Sequence, residues 1–85
     1  MDGHDAKSAI ESVAEQLASQ RAQLGISLDD AATRSNIDAA RLDLAENAEI
    51  ALDEDELQRL ADTYGIAITA FFGGRVTPIQ YLFGA

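Results

Sequence analysis

Apolar residues recur along this chain at spacings of three and four, the signature of helices with one buried stripe. Ile10, Val13, Ala14, Leu17 and Leu24 share one stripe of a helix predicted over residues 6–24, and Gly25 stands behind it as the stop. The run Ser27, Leu28, Asp29, Asp30 reads as a Ser-x-x-Asp capping box. Ser27 caps a second helix, Asp30 reaches back to the cap, and Leu28, Ala31 and Ala32 face inward. That helix stops near Arg34 and Ser35, because Asn36 tolerates the left-handed backbone of a sharp turn. Ile37 follows as an apolar plug, and Asp38 caps a third helix predicted over 39–47. After a loop at 48–52, Asp53 caps a fourth helix over 54–64, with Glu56 completing its capping box. Leu57, Leu60, Ala61 and Tyr64 form the buried stripe, and Gly65 ends the helix. Thr69 opens a short fifth helix that runs into Phe71, Phe72, Gly73 and Gly74. In the tail, Thr77 is a cap and Pro78 takes the first helical position, among Val76, Ile79, Tyr81, Leu82 and Phe83.

Composition agrees with an all-α domain. Ala, Leu and Ile dominate the apolar residues, and Pro occurs once. The 85 residues make one small domain, which buries only roughly 60% of the surface its unfolded chain exposes. The absence of Cys removes disulfides and thiolate metal sites as stabilisers, so packing must hold the fold. No apolar run approaches the roughly 20 residues that span a bilayer. Residues 1–16 lack the basic and apolar regions of a leader, so a cytoplasmic location is expected.

Five short helices, with the second and third joined tightly, form a helix-turn-helix pattern. The residues that carry it are 21–32 (RAQLGISLDDAA), 36–38 (NID), 41–47 (RLDLAEN) and 57–72 (LQRLADTYGIAITAFF). In order and spacing they resemble the Cro/cI-type, or XRE, helix-turn-helix domain of phage repressors and bacterial regulators. The likeness runs from about Leu17 to Gly73. It implies a lambda-repressor-like five-helix fold over residues 6–74, after a flexible start at 1–5 and before a short apolar extension at 75–85. It also implies an ion pair between Arg21 and Glu46 that ties the first helix to the third. The residues agree, since a mid-helix Arg among Ala and Leu needs a partner on its buried side. Family repressors commonly dimerise near the C-terminal end, and a homodimer is expected here.

Charge complicates the function that the resemblance implies. Net charge is −9, from 6 basic and 15 acidic residues, whereas nucleic-acid binders usually carry a basic patch. The family reads DNA from the start of the second helix and the outer face of the third. Those positions hold Ser27 and Leu28, then Ala39, Ala40, Arg41, Asp43 and Leu44. Ser27, Arg34, Arg41 and Asp43 are the candidate DNA contacts, with Arg41 able to chelate guanine and Asp43 able to accept from cytosine. Leu28, Ala39, Ala40 and Leu44 offer no hydrogen bonds and form a candidate protein-contact patch, rimmed by Asp29, Asp43 and Glu49. The following loop is acidic where the family's is often basic, and Ala48 replaces the usual Gly. Two readings therefore stand. One is a small transcription regulator that binds DNA as a dimer. The other is a helix-turn-helix module that has given up DNA for a protein partner, in the manner of an antitoxin or anti-repressor.

No other chemistry assembles. His4 is the sole His, with no Cys beside it to hold a metal, and the acidic run 53–56 lacks the spacing of a calcium loop. No nucleophile set, phosphate loop or carboxylate pair suggests an enzyme or a cofactor.

Overall fold

The structure is a computed structural model, and it describes residues 9–73 and residue 81. Four α-helices and one 3-10 turn are present among those residues: α1 (Ala9–Leu24), α2 (Leu28–Ser35), α3 (Ala39–Glu46), α4 (Glu54–Tyr64) and the 3-10 turn (Ile68–Phe71). The fifth element is therefore a 3-10 turn rather than a helix opened by Thr69. Its bonds run three residues back, from the Ala70 N–H to the Ala67 carbonyl and from the Phe72 N–H to the Thr69 carbonyl. Gly73, at φ 60°, stops it before an α-helical turn can close. The tail's Thr77 and Pro78, with Val76, Ile79, Leu82 and Phe83, lie outside the described residues.

The helix ends are where local sequence decides the structure. Ser27 Oγ accepts the Asp30 N–H at 3.0 Å, as half of the expected box. The other half differs, because the Asp30 carboxylate lies 3.1 Å from Arg34 Nη2, one turn on, instead of reaching back. At α4 both halves form: Asp53 Oδ1 accepts the Glu56 N–H at 2.8 Å, and Glu56 Oε1 accepts the Asp53 N–H at 2.9 Å. Asp38 stands at the start of α3 but makes no side-chain cap bond.

α2, α3 and α4 end alike, each with a residue in the left-handed region. Asn36 (φ 58°), Ala48 (φ 64°) and Gly65 (φ 70°) turn the chain so that the next N–H reaches five residues back. Those bonds are Ile37 N–H to Ala32 O at 2.9 Å, Glu49 N–H to Leu44 O at 2.9 Å, and Ile66 N–H to Ala61 O at 3.0 Å. The first of them swings Ile37 into the core as the predicted plug, 6% exposed.

Val13, Leu17, Leu42, Leu52, Leu57, Leu60 and Phe71 are the largest fully buried side chains. α1 packs on α3, α4 and the 3-10 turn, while α2 packs on both α3 and α4. Leu24 departs from the expected stripe and is 50% exposed. Arg21 takes the stripe's last inward place, and the chain reverses at Gly25 one residue after Leu24. Tyr64 meets Phe71 edge-on at 6.2 Å between ring centroids, and Phe72 meets Tyr81 at 6.0 Å. The Tyr81 hydroxyl accepts the buried Leu52 N–H at 2.7 Å, so the extension reaches back into the core at this point. Burial pushes the Tyr81 hydroxyl's pKa up, although the Leu52 bond opposes the shift.

Ala48 is the one costly cap. A Cβ in the left-handed region opposes the backbone by roughly 1–2 kcal/mol, a penalty Gly does not incur. Ala48→Gly is expected to raise unfolding free energy by about 1 kcal/mol, which for a domain of this size shifts the thermal midpoint up by roughly 4–8 °C. Urea and thermal melts of the two proteins test this.

Candidate nucleic-acid interface

Three guanidinium groups set the geometry around α3. Arg21, on α1, forms a two-pronged pair with Glu46 at the end of α3: Nε to Oε2 at 2.8 Å and Nη2 to Oε1 at 2.9 Å. Its Nη1 donates to the Ile26 carbonyl at 3.0 Å, so one side chain joins α1, the loop before α2, and α3. The expected pair is thus present, with the added grip on the loop. The Glu46 bond holds Arg21 above the usual guanidinium range. Tyr64 lies within reach of this charge pair, and burial first, then the negative charge of Glu46, pushes its hydroxyl up to about 12.

Arg59, on α4, was not singled out by sequence reasoning. Its Nη1 donates to the Asn36 carbonyl at 2.8 Å and to the Ser35 carbonyl at 3.3 Å. These carbonyls end α2, where the helix dipole favours a cation. Asp55 Oδ2 sits 3.1 Å from Arg59 Nε but off the N–H direction, so it contributes charge and no hydrogen bond. The signal available in the sequence was a lone Arg on the polar edge of an apolar stripe, which alone does not name a backbone partner.

Arg41, expected to face DNA, is turned toward α4. Its Nε lies 2.6 Å from Glu56 Oε2 and its Nη2 lies 2.9 Å from Oε1. Glu56 is also the capping residue of α4, so one carboxylate serves the cap and the guanidinium together. The Arg41 bond and the cap bond both hold Glu56 below the usual carboxylate range, against the opposing effect of burial. The Arg41 side chain is 42% exposed and that of Glu56 only 10%.

The remaining candidates sit apart from one another in role. Arg34 is 57% exposed and pairs with Asp30 on its own helix. Ser27 is exposed at the start of α2, its Oγ engaged by the cap bond. Asp43 is exposed on α3, and Asn47 Nδ2 donates to its side chain at 3.2 Å and to its carbonyl at 2.8 Å. Ala40, Asp43, Leu44 and Asn47, at i, i+3, i+4 and i+7, make the outward face of α3, and all four are exposed. Leu44 is 37% exposed. Leu28 and Ala39, placed in the same patch by sequence, are instead half-buried and pack against the core. Among the described residues, all four arginines are therefore paired with carboxylates, and the outward face of α3 is apolar and acidic.

A short α2, a left-handed turn and an α3 held against both neighbours are the arrangement of a helix-turn-helix unit. The sequence model of the helix-turn-helix domain matches residues 12–69, more than half of the chain. The chain belongs to the helix-turn-helix domain family. No curated protein and no solved structure matches it. Membership makes it, in general terms, a member of a family of DNA-binding regulators. Among the described residues, no helix is long and apolar enough to cross a membrane. A shallow depression between α1 and the end of α3 is lined by Glu11, Ala14, Glu15, Glu46, Asn47 and Ala48; it lies on the side of α3 that faces α1.

Two substitutions test the bracing of this helix-turn-helix. Arg59→Ala removes a charged donor from two carbonyls and is expected to cost roughly 1.5–3 kcal/mol in urea unfolding. The depressed pKa of Glu56 stabilises the fold above the carboxylate's unfolded value, and that contribution is lost as pH falls through the lower folded value. Stability should therefore fall below about pH 4.5, and Glu56→Gln should flatten that acid limb; melts from pH 6 to pH 3 measure it.

Proposed function

We propose that this protein is a small XRE-type helix-turn-helix regulator that binds DNA as a homodimer in the cytoplasm. The observation that carries the reading is the braced α2–turn–α3 unit, in which Asn36 makes the turn, Ile37 plugs it, and Arg21 and Arg59 fix it from α1 and α4. A reading helix must keep its register to a fraction of a base step, and this scaffold supplies that rigidity. A two-fold dimer would match a palindromic site. The contacts come from Ser27, Arg34 and Arg41, with Asp43 limited to a cytosine amino group. Both arginines must leave a carboxylate to reach phosphate or base, so affinity is low and falls steeply with salt. The protein acts by binding and is not an enzyme.

A second reading has its own support. The outward face of α3 is Ala40, Asp43, Leu44 and Asn47, which offers little to a phosphate and a small apolar surface to a protein. On that reading the domain has lost DNA binding and contacts a protein partner, as an antitoxin-like module or anti-repressor does.

Retention of random and genomic duplex fragments at low salt separates the two. Operator binding is expected to show weak retention at the lowest salt, with a slope of about −4 in log K against log salt for two arginines in each of two subunits. Arg34→Ala and Arg41→Ala should each reduce that slope. A complete lack of retention at the lowest salt sinks the DNA reading and leaves the protein-contact one.

A further inference from the structure

Glu56 occupies Arg41 in the way a guanine edge or a phosphate would. Its two oxygens meet Nε and Nη2 at 2.6 and 2.9 Å, the two-pronged pairing by which arginine also chelates nucleic acid. The carboxylate is pre-positioned, because the Asp53 N–H holds it in the first turn of α4 and its side chain is only 10% exposed. The Arg41 side chain, at 42%, keeps an open flank toward solvent. An intramolecular anion that is already ordered competes with an external one at high effective concentration. We propose that Glu56 is an internal competitor for Arg41, a contact that holds the reading helix in a low-affinity state for nucleic-acid anions. The inference rests on the DNA reading above.

A merely structural ion pair predicts the opposite response. If Glu56 only joins α3 to α4, its loss loosens the unit and DNA binding stays level or falls. If it competes, its neutralisation raises binding.

The test compares wild type with Glu56→Gln, which keeps an oxygen for the Asp53 N–H while removing the charge. Asp62→Asn is the control for net charge, because Asp62 is exposed, bonds Gln58 and touches no arginine in the hydrogen-bond network. The probe is a labelled random-sequence duplex, titrated across low salt. Glu56→Gln is expected to bind roughly threefold or more tightly at each salt concentration, because the Arg41 contact already counted in the wild-type slope no longer has to displace a carboxylate. Asp62→Asn should leave the affinity near the wild-type value, and Arg41→Ala with Glu56→Gln should abolish the gain. Should Glu56→Gln fold poorly by circular dichroism, Glu56→Asp keeps the charge but shortens the reach, and a gain in the same direction is expected. Wild-type binding with no gain in either Glu56 variant, or an equal gain in Asp62→Asn, overturns the competitor role and leaves the DNA reading standing. No binding by any variant overturns both.

Discussion

The bond on which the domain depends is the chelate between Arg21 and Glu46. A helix-turn-helix needs its third helix fixed against a first helix that is distant in sequence, and two eight-residue helices carry little apolar surface with which to do it. α3 buries only Leu42 and Ala45 within its own length. Arg21 compensates with two bonds to Glu46 and a third to the Ile26 carbonyl, so the same group places α3 and the entrance to α2. Removing one partner of such a pair strands the other's charge at a half-buried site. Arg59 acts on the same unit from the far side, by holding the two carbonyls where α2 gives way to the turn.

Much of this was legible in the sequence because caps and stops are local. Asn36, Asp53 with Glu56, Gly65 and the plug Ile37 are each identified by residue type at a fixed offset, and each is observed. The Arg21 to Glu46 bond was legible at long range because a family resemblance supplied the spacing. What the sequence did not disclose is a second role for a residue already accounted for. Glu56 was assigned to the capping box, which uses one lone pair of one oxygen. A carboxylate has capacity for several more bonds, and Arg41 takes it. Ala48 shows the same limit from another side, because it stands where the family usually has Gly, yet the left-handed geometry persists at a conformational cost.

The patch at the reading face is likewise narrower than its composition implied. Helical geometry divides the four apolar candidates. Leu28 and Ala39 serve the core, whereas Ala40 and Leu44 look outward. Positions three and four apart share a face only when both lie on one helix, and Leu28 belongs to a different one.

The two-pronged pairs of Arg21 and Arg41, each with a carboxylate at most 10% exposed, also set how ionic strength acts on the two halves of the protein's behaviour. Chelated, partly buried pairs are screened little by salt, whereas an exposed surplus of like charge is screened strongly. With a net charge of −9, the folded chain repels itself, and added salt relieves that strain on the compact state. The same salt weakens any grip on a polyphosphate. Folding and nucleic-acid binding therefore respond to ions in opposite directions, and the conditions that make this domain most secure are those in which its reading helix is least engaged.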